Sequence, residues 1–264
     1  GELIAAAIEA GCAEILVAVG GSATCDGGAG LAGRLGTRFR GADGSVLPDG
    51  LTGGDLPRIR SVDPRSAADG VILRVLADVS SPLLGPHGAA AIYAPQKGAD
   101  AEQVDRLERG LERLVDAAIE SGVDPGLSRR DGAGAAGGAA YGLAAFHGGH
   151  LERGIDRVLT ALDFDVRCSA ADLVLTGEGR LDAQSVTGKA AIGVAAAARR
   201  MGTPIIAVAG GIDRAMTEAA LATHFTEVAV VERLVGREAA RRDAAHAVAQ
   251  ATAEALRTWS RRTV

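Results

Sequence analysis

Aromatic residues make up only 3% of the 264-residue chain, so its core cannot be built on stacked rings and must come from Ala, Val, Leu and Ile. Lysine is scarcer still: 26 of the 28 basic residues are Arg, and the two lysines are Lys97 and Lys189. Where Arg serves as the generic cation, a retained Lys points to a need for a compact point charge. The three cysteines, Cys12, Cys25 and Cys168, form no CxxC pair, which argues against a disulfide framework and against a structural zinc site. No apolar run approaches the ~18 residues of a spanning helix, and no signal peptide opens the chain. The net charge of -5 and the absence of a basic block remove the electrostatic footprint of a nucleic-acid binder. These absences leave a protein expected in the cytoplasm, with neither membrane nor nucleic acid among its partners.

Glycine, by contrast, is abundant at 37 residues, about twice the usual ~7%. Short continuous apolar runs alternate with helical patterns along most of the chain, as in parallel sheets covered on both faces. The expected strands are 14–19, 71–79, 172–179, 204–211 and 225–231. Between them, 100–121 places Val104, Leu107, Leu111, Leu114, Val115 and Ala118 on one stripe of a helix. A further helix is expected at 151–162, and the Gly/Pro-dense stretch 40–69 reads as an irregular excursion. The fold class is α/β with two α/β domains. Residues 1–165 form a glycine-rich-loop domain, and 166–264 form the C-terminal portion of a doubly wound, flavodoxin-like domain that is incomplete in this chain.

Ligands of such folds bind beyond the carboxyl ends of strands, which directs attention to the loops there. GGSATCDGGAG (20–30) offers Gly20, Gly21, Gly27 and Gly28 for close backbone approach to an anion, with Ser22, Thr24 and Asp26 as polar groups. It matches neither GxGxxG nor a Walker loop, and its alternative is tight helix-on-strand packing with Asp26 as an N-cap. Asp78 ends a strand where a carboxylate can hold Mg²⁺ or accept a proton, and Lys97 in PQKG could reach a phosphate; a helix cap and a solvated ammonium are the plainer roles. GAGAAGGAAYG (132–142) is either another backbone approach to a ligand or small-residue packing, with packing favoured.

The strongest signal is TGEGRLDAQSVTGKA (176–190). Glu178 and Asp182 stand four apart around Arg180, and Gly188 and Lys189 open the next helix. Carboxylates for a metal or a general base, together with a Lys and a helix N-terminus for phosphate oxygens, are the parts phosphoryl transfer requires. Asp78, Glu178, Asp182 and Lys189 are accordingly the catalytic candidates, the three carboxylates also being the metal candidates. His147 and His150 lack a third ligand, and Cys25 lacks a His partner, so neither metal nor thiol chemistry is assigned to them.

These motifs, GGSATCDGGAG, ADVSSPLLGPHGAAAIYAPQKGA, GAGAAGGAAYG and ADLVLTGEGRLDAQSVTGKAAIGVA, followed by IIAVAGG, resemble the type 1 glycerate kinase family in order and over essentially the whole chain. Cys25 and Ser81 stand where the family usually has Asn, and Asp131 where it has Pro. The resemblance implies two α/β domains, one flavodoxin-like and assembled from both chain ends. It also implies phosphorylation of D-glycerate with ATP and Mg²⁺ as cofactors. The family opens with a strand and an Asp-Ser-Phe-Lys-Gly segment, so an N-terminal portion is expected before Gly1, without which the chain would be inactive. An apolar edge would then be open to self-association, a route to a homo-oligomer. The competing class is a non-catalytic module that binds a nucleotide or an organic acid.

Overall fold

A computed structural model describes residues 1–64, 70–182, 190–214 and 216–263. The chain divides into two compact units, Gly1–Gly154 and Ile155–Val264. The sequence reading drew the boundary after residue 165. The structure draws it earlier because Ile155, Leu159 and Phe164 pack against Val194 and Ala197 of the second unit.

In the first unit, β1 (Glu14–Ala18), β4 (Ile72–Leu76) and β5 (His150–Glu152) form a parallel sheet in the order β1-β4-β5. Between them, β2 (Arg38–Arg40) and β3 (Ser61–Asp63) form a small antiparallel ribbon within the stretch expected to be irregular. Leu151 and Glu152 were expected to begin a helix and instead pair with β4, and the helix starts only at Gly154. The expectation of a sheet covered on both faces does not hold here. Leu73 and Val75 are buried, whereas Leu16 is 51% and Ile72 47% exposed. The open face is tied by Arg74, whose guanidinium bridges Glu14 on β1 and Glu152 on β5.

The 20-residue helix Ala101–Glu120 forms as its stripe predicts, burying Leu111, Leu114, Val115, Ala117 and Ala118. Its start is set by a capping box: Asp100 Oδ1 accepts from the Gln103 N–H at 2.8 Å, and Gln103 Oε1 accepts from the Asp100 N–H at 2.9 Å. The helix packs on a core containing Phe39, Leu56, Leu83, Tyr141 and Phe146. Rings are few, but Phe146 meets both Phe39 and Tyr141 edge-on.

In the second unit, β6 (Val174–Leu181), β7 (Ile205–Ile212) and β8 (Glu227–Val230) form a parallel sheet in the order β6-β7-β8. Ile205 to Ala209 of the central strand are buried in succession, as a continuous apolar run requires. The helices Ala190–Arg200 and Ala244–Thr263 bring Ala191, Ala195 and Ala198, and Ala247 and Ala251, against the sheet and its connections. Alanine-rich faces let these helices approach closely without ring side chains. Among the described residues, no helix is long and apolar enough to cross a membrane.

Candidate functional site

Three of the glycine-rich tracts meet in the first unit, backbone against backbone. Ala136, Gly137 and Gly138 are all left-handed, with φ of 54°, 70° and 90°, a run that interrupts the helix Ala135–His147. A left-handed Ala costs energy and persists only where the surroundings hold it. Here the Gly27 N–H donates to Gly137 O at 3.0 Å, and a Cβ on Gly138 would lie 2.6 Å from Gly27 Cα. Gly134 likewise admits the carbonyl of Pro82, which a Cβ would approach to 2.2 Å. The tract 132–142 therefore packs loops 20–30 and 80–84 together.

This contact divides the first loop into two parts. Gly20, Gly21 and Thr24 are exposed and Ser22 is half-buried, whereas Cys25, Asp26, Gly27 and Gly28 are buried. Asp26 Oδ1 accepts from the Gly28 N–H at 3.0 Å and Oδ2 from the Gly30 N–H at 3.1 Å. The carboxylate thus occupies the donors that an anion at this helix start would have used. Asp26, Gly27 and Gly28, expected in a phosphate cradle, are held in a capping and packing arrangement, with the Gly28 and Gly30 N–H groups engaged by Asp26 and the Gly27 N–H by Gly137.

The accessible part of the loop is joined to Lys97. Its ammonium donates to Ser22 Oγ at 2.9 Å and to the Thr24 carbonyl at 2.5 Å. Burial pushes its pKa below the usual lysine value. Burial raises the Cys25 thiol to about 11 despite Lys97 nearby, in keeping with the absence of a thiolate nucleophile. Lys97 also lines a cleft of about 360 Å³ with Gly53, Gly54, Gly98, Gln103 and Arg106.

Glu108 was not anticipated. Its Oε1 accepts from the Gly85 N–H at 2.6 Å, while its Oε2 is buried without a hydrogen-bond partner among the described residues, and burial raises its pKa. The signal was present in the sequence, since Glu108 falls four residues after Val104 and one after Leu107, on the apolar stripe. Asp78 is exposed two residues beyond β4, close to Gly154, where a Cβ would lie 2.9 Å from Asp78 Oδ2.

The fourth motif belongs to the second unit. Glu178 lies within the strand expected at 172–179, and the strand continues past that end through Arg180 and Leu181, because its pairing with β7 runs on through Leu181↔Ile212. Asp182 follows directly. Period-two alternation places Glu178 and Arg180 on one strand face. Gly210 lies against β6, where a Cβ would come within 2.5 Å of Gly179 O. Gly211 faces Glu232 and Arg180, whose Oε2 and Nη1 would lie 2.9 and 3.2 Å from a Cβ. Glu232 opens the helix Val231–Val235, directly after β8, and was not foreseen either. At the carboxyl end of this sheet Arg180 and Glu232 therefore flank Gly211, while Glu178 lies earlier along β6 and Asp182 just after it. Gly188 and Lys189 lie outside the described residues.

Among the described residues, no three His, Cys, Asp or Glu side chains are grouped to hold a metal ion. A cage built from Glu178 and Asp182 together is disfavoured by strand geometry, since four residues of extended chain span ~13 Å. Mg²⁺ commonly needs only one or two carboxylates when substrate phosphates and water complete its shell.

Residues 1–260 match the family model described as the glycerate kinase family. A glycerate kinase of Bacillus subtilis (strain 168) is 45% identical over 217 residues, covering 81% of this chain and 56% of that protein. A glycerate 2-kinase of Escherichia coli (strain K12) is 40% identical over 217 residues, covering 80% of this chain and 56% of that protein. The chain thus spans about half the length of the curated relatives it matches. A crystal structure from Salmonella typhimurium LT2, of a protein provisionally named glycerate kinase 2, superposes with a TM-score of 0.75 at 34% identity. That match covers 100% of this chain and 69% of the other.

Proposed function

The chain belongs to the glycerate kinase family, and from that premise we propose that the protein transfers the γ-phosphoryl group of ATP to a hydroxyl of D-glycerate. The observation that carries this reading is the family match over residues 1–260, which includes both the glycine-rich loops and the acidic segment after β6. In the transfer, a bond forms between the glycerate oxygen and the γ-phosphorus as the bond to the β-phosphate bridging oxygen breaks. ADP leaves, and the hydroxyl proton passes to a carboxylate.

We assign that proton to Asp182, at the carboxyl end of β6, where ligands of open α/β sheets bind. Lys189 supplies positive charge to the transferring phosphoryl oxygens, and Glu178 and Arg180 orient the reacting groups. Asp78 is a second carboxylate at a strand end, in the first unit. Gly20, Gly21, Ser22, Thr24 and Gly188 provide backbone and hydroxyl donors for substrate or phosphate oxygens. Mg²⁺ bound to the nucleotide phosphates, with Asp182 or Glu178 as its protein ligand, would neutralise developing charge.

The test is ADP release by the protein across a panel of small hydroxy acids. D-Glycerate is expected to be the preferred acceptor, and excess EDTA is expected to abolish turnover. Equal turnover on unrelated alcohols, or full activity in EDTA, would overturn the reading. Binding without turnover would select the non-catalytic module instead.

A further inference from the structure

Lys97 is a half-buried cation whose charge is not balanced. Its two hydrogen bonds go to a neutral hydroxyl and a neutral carbonyl, and no carboxylate lies within ion-pair distance among the described residues. Asp26 is near enough to act on it electrostatically, yet both Asp26 oxygens are engaged by the backbone of Gly28 and Gly30. An ammonium has three donors, and two are used. A cation withdrawn from water without a counter-ion is costly, and the missing compensation is an anion.

The surroundings of Lys97 suit such an anion. The cleft it lines, about 360 Å³, has walls of Gly53, Gly54 and Gly98, none of which carries a side chain to block approach. Ala99 and, on the facing helix, Gln103, Arg106 and Leu107 form the rest of the lining, so the polar groups are concentrated at Lys97, Gln103 and Arg106. Arg106 is held by one contact to Glu102, 3.2 Å and solvent-exposed, a pair that an incoming oxyanion can compete with at little cost. Glu102 does not itself line the cleft. The volume admits a three-carbon acid or a phosphate group.

We propose that this cleft is an oxyanion site, in which Lys97 and Arg106 bind a carboxylate or phosphate group. The proposal deepens the kinase reading, since both D-glycerate and the nucleotide carry such a group, but it stands on the charge balance of Lys97 alone.

The chain offers a direct probe because it has only two lysines. Amines of the full chain would be acylated under limiting reagent, and modification at Lys97 quantified by peptide mass mapping, with the Gly1 amine as internal reference. Saturating D-glycerate, inorganic phosphate and ADP would be added separately, with sodium chloride at matched ionic strength as control. At least one oxyanion is expected to slow Lys97 acylation about ten-fold relative to Gly1. Protection by glycerate alone identifies the carboxylate source, and protection by phosphate and ADP the phosphate source. Arg106→Gln, on the facing helix, should weaken the protecting ligand about ten-fold by calorimetry while leaving the melting temperature unchanged.

Equal Lys97 acylation in all four solutions would overturn the proposal, as would unchanged affinity in Arg106→Gln. The two readings fail separately. Protection without any phosphorylation of glycerate removes the kinase and keeps the site, whereas turnover with no protection removes the site and keeps the kinase.

Discussion

A Cβ on Gly137 would lie 2.1 Å from the carbonyl oxygen of Thr24, so these two residues, 113 positions apart in a chain of 264, meet backbone to backbone. Gly137 also has φ of +70°, so Ala there meets both strain and a clash that no rotamer relieves. Gly137→Ala is expected to cost more than about 3 kcal/mol. Gly148→Ala, with φ of +67° but nothing within 4 Å, isolates the strain and should cost about 1 kcal/mol. Gly20→Ala has neither problem and should stay within about 0.5 kcal/mol of the parent. Urea unfolding of the three variants checks the order, and equal destabilisation of Gly137 and Gly148 would refute the close-approach argument.

Glu108 should make stability depend on pH in a particular direction. Burial raises its pKa in the folded state, so the folded state holds the proton more tightly than the unfolded one. Its contribution is fully present below the ordinary glutamate pKa and is lost as pH rises through the raised value. Glu108→Gln keeps the acceptor for the Gly85 N–H and removes the charge. Its melting temperature relative to the parent should therefore be higher at pH 7 than at pH 4. A difference that does not change with pH would show that Glu108 ionises freely.

The three thiols should separate cleanly by reactivity. Cys12 is exposed, while Cys25 and Cys168 are buried, and the Cys25 thiol has a pKa of about 11. At pH 8, iodoacetamide should label Cys12 in the native protein and reach Cys25 and Cys168 only in denaturant. Rapid native labelling of Cys25 would instead restore it as a candidate nucleophile.

The acidic segment after β6 carries the mechanistic prediction. If Asp182 accepts the hydroxyl proton, Asp182→Asn should lower kcat by about 100-fold or more with the Mg²⁺ dependence unchanged. If Asp182 holds the metal, the same variant should raise the Mg²⁺ requirement as well. Lys189→Ala should also lower kcat by about 100-fold, the scale of losing a preorganised charge donor. Parental kinetics in both variants, with thermal melts confirming folding, would take this segment out of the mechanism.

What the sequence determined by itself was local and periodic. The stripe from Val104 to Ala118 specified its helix, and the apolar run at 205–209 specified a central buried strand, because burial periodicity is written residue by residue. Four motifs in order identified the family. The tertiary structure alone decided which glycine loops are surfaces and which are packing. Asp26 was legible as either anion cradle or helix cap, and the choice depended on Gly137 and Gly138 arriving from more than a hundred residues away to bury it. The extent of β6 was hidden for a similar reason: the strand expected at 172–179 stops short of Arg180 and Leu181, which stay extended because β7 supplies their partners. Lys97 stood out through the rarity of lysine, yet its lack of a counter-ion among the described residues is a property of its neighbours. Local pattern sets the conformation of a segment, whereas charge balance and burial are set by segments far apart in the chain, and only folding brings those together.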